Sequence, residues 1–187
     1  MHPIGLIAGV ACLAIWSYLL LLHGGFWKVW RLQAPKLAPT PLHAKVAIVI
    51  PARDEADVIG AALRSLLEQR AAELLHIFVV DDHSSDGTAQ AARRAAQDCG
   101  RSDGLTVLPA DNLPAGWTGK LWAVQQGIEA ALRLNPEFLL LTDADIVHSS
   151  DDVATLVCLA QTGNYDLTSF MVRLHCHSLA EKLLIPA

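Results

Sequence analysis

No two cysteines of this chain stand in a C-x-x-C spacing, and the four present (Cys12, Cys99, Cys158 and Cys176) are scattered over 187 residues. That usage excludes a disulfide-stapled secreted domain and fits reduced thiols in the cytosol. Basic charge is short as well: 14 Lys and Arg against 19 Asp and Glu leave a net charge of −5, and no basic stripe with interleaved aromatics occurs. No nucleic-acid partner is therefore expected. The most complete absence is local. From Ile4 to Leu22 there is no charged residue, only the run IGLIAGVACLAIWSYLLLL.

A run of that length suits a hydrocarbon core of about 30 Å, which takes roughly 20 helical residues. A cleaved signal peptide would carry a basic n-region and a shorter apolar stretch, whereas only Met-His-Pro precedes this one. Residues 1–27 are therefore expected to form a transmembrane anchor in the bilayer. Lys28, Arg31, Lys36 and Lys45 follow the run and no basic residue precedes it, which by the positive-inside rule puts the rest in the cytoplasm. Residues 28–44 read as a basic linker, stiffened by three prolines between Gln33 and His43. Residues 45–187 are room for one domain.

Within that domain VAIVI (Val46–Ile50, ended by Pro51), HIFVV (His76–Val80), LTVLP (Leu105–Pro109) and FLLLT (Phe138–Thr142) predict strands. Helices are predicted over Ala56–Arg70, from Thr88 to about Asp98 with Asp86 as N-cap, over Gly119–Leu134 and over Asp151–Thr162. A further strand is expected over Asp166–Leu174. Strands alternating with helices mean an α/β fold with a parallel sheet, and wholly apolar strands imply cover on both faces. Ligands then bind beyond the carboxyl ends of the strands. The polar clusters fall there: PARDE after the first strand, DDHSSDGT after the second, DAD after the fourth.

Side chains two apart in extended chain point the same way, so Asp143 and Asp145 can face one crevice and offer hard oxygens to Mg²⁺ or Mn²⁺. The plainer reading is a strand-end turn with solvated acids. Asp81-Asp82 can accept hydrogen bonds from a ribose diol or a uracil imide, although turn chemistry accounts for part of SSDG. Glu55, after Arg53 and Asp54, is either a ligand-binding acid or a first-turn acid favoured by the helix dipole. Lys120 stands near a helix N-terminus, wrong for the dipole but right for a diphosphate. His175-Cys176-His177 is too isolated to read as a metal cluster.

The order of these motifs resembles family 2 glycosyltransferases: P-A-R-D-E, V-V-D-D-H-S-S-D-G-T, G-K followed by A-x-x-x-G (Ala123 to Gly127), then D-A-D. PARDEADVI, LPAGWTGKLWA and LLLTDADI look most like the hopene- or hopanoid-associated membrane members. The likeness runs from about Lys45 to Leu174. It implies a GT-A, Rossmann-type fold and inverting transfer of a sugar from a nucleotide-diphosphate donor, a UDP-sugar, to a membrane-lipid acceptor. By motif, Pro51, Arg53 and Glu55 would border the nucleoside, Asp82 or Asp81 would hold the base, and Lys120 would sit near the diphosphate. Asp143 and Asp145 would hold the metal that bridges the phosphates and stabilises the leaving group. Such enzymes also need an acidic general base downstream of the D-x-D, and usually a Q/R-x-x-R-W segment. Neither is visible: after Leu174 come only HCHSLAEKLLIPA, and Glu181, on a helical stretch, is not taken as the base. The chain reads as a truncated enzyme whose catalytic base is unassigned.

Two enzyme alternatives fail on motif order. In a HAD-type phosphatase the D-x-D-x-[TV] strand, matched by Asp143 to Val147, should open the domain, but Lys120 and Asp81-Asp82 precede it. In a receiver domain the lysine comes last. A non-catalytic nucleotide-sugar binder remains open for a chain without a base.

Overall fold

The computed structural model describes residues 3–22, 43–70, 74–170 and 172. It divides into two compact units, one holding the N-terminal helix and the other spanning Leu37–Phe170. The first shows one described element, α1 (Pro3–Leu21), 19 residues long. Its Leu6, Ile7, Val10, Leu13, Ile15 and Trp16 are all exposed. Among the described residues no helix is long and apolar enough to cross a membrane. The transmembrane anchor expected over 1–27 is therefore not borne out; α1 is the helix described within that segment.

The second unit is built on four parallel strands in the order β3-β2-β1-β4. They are β1 (Val46–Ala52), β2 (Leu75–Asp81), β3 (Leu105–Pro109) and β4 (Phe138–Leu141). Helices α2 (Ile59–Leu67), α3 (Thr88–Asp98), α4 (Gly119–Leu132) and α5 (Asp152–Gly163) connect or follow them. β-Branched and aliphatic residues fill β1 and β2 because both strands are buried on both faces. Val46, Ile48 and Ile50 point to one layer with Ile59, Leu63 and Leu66 of α2, Ala92 and Ala95 of α3, and Val153 and Val157 of α5. Ala47, Val49 and Phe78 point to the other, against Ala131 and Ile128 of α4.

α4 lies close on its layer. A Cβ at Gly127 would collide with Val49 Cγ1 and come within 3.1 Å of Val80 Cγ2, so only glycine allows this approach. The chain runs β1, β2, β3 in one direction across the sheet, then crosses under α4 to place β4 on the far side of β1. That reversal puts a crevice at the carboxyl ends of β1 and β4, the ligand position in open α/β sheets.

Several boundaries differ from expectation. β1 continues past Ile50 to Ala52 because β4 stops pairing at Val49–Leu141 while β2 pairs on through Pro51 and Ala52. Pro51, lacking an N–H, thus sits beyond the two-sided part of the ladder. α2 starts at Ile59 rather than Ala56, after a turn in which the Glu55 carbonyl accepts from Val58 and Ile59. The N-cap of α3 is Gly87, at φ 92°, and not Asp86. The strand expected over Asp166–Leu174 is absent from its described part, residues 166–170 and 172. The rest of that segment, with His175, Cys176, His177 and Glu181, lies outside the described residues.

Candidate functional site

The loop after β1 and the loop after β2 are fastened to each other by side chains. Asp54, at φ 53°, donates its N–H to Ser84 Oγ at 3.0 Å. Its carboxylate accepts from the N–H and hydroxyl of Ser85, at 2.8 and 3.2 Å. Glu55 N–H donates to Thr88 Oγ1 at 2.8 Å, and Ala56 N–H to Asp86 Oδ2 at 2.9 Å. Asp86 Oδ1 in turn accepts from the Thr88 hydroxyl at 2.6 Å and its N–H at 3.0 Å. Those bonds, the Thr88 hydroxyl first and the Ala56 N–H next, hold the Asp86 carboxyl below the ordinary carboxylate range. Asp54, Ser84, Asp86 and Thr88 therefore shape the loops, whereas the sequence reading offered turn chemistry only for part of SSDG.

This clasp separates the paired acids. Asp81 Oδ1 accepts from Ser84 N–H at 3.1 Å, an Asx-type turn. Asp82, with its side chain 14% exposed, instead meets Arg53 Nη1 at 3.5 Å and His83 Nδ1 at 3.2 Å. It also lies under the start of α4: a Cβ on Gly119 would stand 2.5 Å from Asp82 Oδ2. The next residue, Lys120, extends to Asp143, Nζ to Oδ1 2.8 Å. Arg53, Asp82, Gly119, Lys120 and Asp143 thus form a continuous line of contacts along the carboxyl ends of the strands. Pro51 and Glu55 lie at the β1 end of that line, half-buried, and Asp145 is exposed two residues beyond Asp143.

The awkward position of Lys120 has a partial structural account, since Asp143 offsets its charge. Both partners are about half exposed, so the pair contributes little to stability and both groups remain open to ligands. Among the described residues no three His, Cys, Asp or Glu side chains converge on a possible metal position. Asp143 and Asp145 still suit Mg²⁺ or Mn²⁺, which take one or two carboxylates and complete their shell with water and phosphate oxygens. Behind them, His148 Nε2 lies 3.1 Å from Thr142 Oγ1. Burial lowers the His148 pKa, against the nearby Asp152 carboxylate, which raises it. A separate cavity of about 220 Å³ lies between α3 and β3, lined by Arg93, Gln97, Ser102 and Leu105 among others. It is remote from the acids and is not the candidate site.

A parallel sheet with reversed strand order and charged residues gathered at its carboxyl ends defines an open α/β protein with its crevice at the switch point. Residues 47–182 match the description of Glycosyl transferase family 2, and the chain belongs to that family. Over 117 residues it is 34% identical to the 4,4'-diaponeurosporenoate glycosyltransferases of Staphylococcus aureus strains RF122 and USA300. That alignment covers 62% of this chain and 28% of each relative, so the chain spans under a third of the curated relatives it matches. Among solved structures, it is similar to the mannosyltransferase PcManGT from Pyrobaculum calidifontis, in complex with GDP-Man and Mn²⁺. The identity is 27%, the TM-score 0.54 and the coverage 84% of this chain and 42% of that one. S. aureus TarS 1–349 shares the fold, with 21% identity, a TM-score of 0.52 and coverage of 64% and 33%. The GT-A fold with its parallel sheet is thus present.

Proposed function

We propose that this chain carries the donor half of a metal-assisted, inverting glycosyltransferase that moves a sugar from a nucleotide diphosphate, a UDP-sugar, to a lipid acceptor. The observation that carries this reading is the unbroken sequence of Arg53, Asp82, Gly119, Lys120 and Asp143 at the switch point of the sheet. Groups suited to anions (Arg53, Lys120) and to a diol or a cation (Asp82, Asp143) alternate along it. Pro51, Arg53 and Glu55 border the nucleoside, and Asp82 accepts from the ribose or base. Asp81, engaged with Ser84, supports the loop. Lys120 and the free N–H groups of α4 take the phosphates, with Lys120 exchanging the Asp143 carboxylate for phosphate oxygens. Asp143 and Asp145 hold Mg²⁺ or Mn²⁺, which supplies neutralisation of the charge on the departing nucleoside diphosphate. The similar mannosyltransferase in complex with GDP-Man and Mn²⁺ supports a nucleotide-diphosphate-sugar donor and a divalent metal.

A lipid acceptor, of the hopanoid kind suggested by the motif likeness, is supported by exposed Leu113, Trp117 and Leu121 around Lys120. Association with a membrane surface is supported by α1, which exposes Leu6, Ile7, Val10, Leu13, Ile15 and Trp16. A second reading, donor binding without transfer, is favoured by one observation. Asp151 and Asp152, the next acids after Asp145, are engaged with Arg70 and with Ser149 and His148, so neither is free as a base. The donor reading predicts that the full chain binds UDP in the presence of Mn²⁺, measured by calorimetry. Asp145→Ala should weaken this by about tenfold or more. If neither UDP nor GDP-mannose binds with or without Mn²⁺, the reading is wrong.

A further inference from the structure

The loop that carries Asp143 and Asp145 is closed at its neck by side chains. Thr142, just before the first acid, and His148, three residues after the second, meet at 3.1 Å. Both are nearly buried, the Thr142 residue 9% exposed and the His148 side chain 10%. Within the loop the backbone makes one hydrogen bond of its own, Ile146 N–H to the Asp143 carbonyl, and that is long at 3.4 Å. Its shape therefore depends on the neck.

His148 is in turn fixed from outside the loop. Its N–H donates to Ser65 Oγ at 3.0 Å, and the Ser65 hydroxyl is anchored on the Ala62 carbonyl in α2 at 2.6 Å. Nδ1 faces Asp152 Oδ2 at 3.9 Å. The Asp152 carboxylate favours the tautomer with the proton on Nδ1, in which Nε2 accepts from the Thr142 hydroxyl. The following residue is tied as well: buried Gln69 donates to the Ser149 carbonyl at 2.6 Å and the Ser65 carbonyl at 3.0 Å. A long-range framework on α2 and α5 thus holds a loop that has little internal structure.

We propose that His148 is a positioning residue: through the Thr142 hydroxyl it sets the spacing and direction of the Asp143 and Asp145 carboxylates for a divalent cation shared with the donor diphosphate. This rests on the donor-site reading above. Groups that orient metal ligands typically account for 10–100-fold in metal affinity.

The test is Mn²⁺ binding to the full chain with UDP present, followed by the electron paramagnetic resonance signal of free Mn²⁺. Thr142→Val, which keeps shape and removes the hydroxyl, should weaken Mn²⁺ binding about tenfold or more, and Thr142→Ser should stay within about twofold of wild type. Thr142→Val combined with His148→Gln should be no worse than the poorer single variant, because both break one bond. UDP affinity without metal should not change, which separates positioning from general damage. The proposal is overturned if Thr142→Val binds Mn²⁺ like wild type, or if the Val and Ser variants fall alike. If wild type itself shows no Mn²⁺-dependent UDP binding, the donor reading fails and this inference with it; a failure confined to the Thr142 variants removes the inference alone.

Discussion

The two walls of the crevice are built in opposite ways. On the β1–β2 side, the loops are sewn together by Asp54, Ser84, Ser85, Asp86 and Thr88 before any ligand arrives. On the α4–β4 side, the contact across the crevice is one half-exposed ion pair, Lys120 to Asp143. The first wall spends Asp54, Ser84, Ser85, Asp86 and Thr88 on its own shape, and the second keeps its charges available. On the proposed donor reading, a pre-shaped wall facing an exposed ion pair suits a diphosphate that brings its own cation. It also means that the same kind of substitution should read out as lost folding on one side and lost binding on the other.

Thr88 gives the largest expected stability effect. Its hydroxyl is fully buried, accepts from Glu55 N–H and donates to Asp86. Thr88→Val leaves the Glu55 N–H without its partner, so denaturant unfolding should show a loss of about 1–3 kcal/mol.

Acid should act next, and gradually. Burial lowers the pKa of His76 and of His148, so the unfolded chain binds protons first as pH falls below about 6.5. Stability is then full above that pH and declines between it and the depressed folded values. Asp86, with its pKa lowered by hydrogen bonds, adds stability present above the ordinary carboxylate range of about 4 and lost as pH falls through its folded value. Thermal melts from pH 8 to pH 3 should show both limbs, and His76→Gln should flatten the upper one. A melt independent of pH between 7 and 5 would contradict this.

Lys120 should give the smallest stability effect. Lys120→Ala should change unfolding free energy by no more than about 0.5 kcal/mol, as for an exposed ion pair. A loss as large as that of Thr88→Val would erase the contrast between the walls.

The strands were legible because short apolar runs bounded by Pro, Asp and Gly suit a parallel sheet, although the expected cover on both faces holds for β1 and β2 and not for β4, whose Leu139 and Leu141 are exposed. The strand-end placement of Asp82 and Asp143 followed from that alone. What escaped was everything set by distant partners. The clasp looked like local turn chemistry because Asp, Ser and Gly serve turns, yet its bonds join residues about thirty apart. His148 stood in the sequence as one histidine among serines and aspartates, and its significance depends on Ser65, 83 positions earlier. That Asp81 turns to Ser84 while Asp82 lies under Gly119 was likewise not visible in the doubled acid. α1 was legible too: the apolar run Ile4–Leu22 and the helix Pro3–Leu21 differ by one residue at each end.

Gly127 and Gly119 stand eight residues apart, on one face of α4 and about 12 Å apart along its axis. One is pressed on Val49 and Val80, the other on Asp82. The helix therefore behaves as a gauge bar resting on two stops, and the thickness of a single methyl group at either stop sets how far Lys120 reaches. Tolerances at the Lys120 end are written into the packing of the hydrophobic layer, so a purely apolar substitution deep in the sheet is able to shift the charge that faces Asp143.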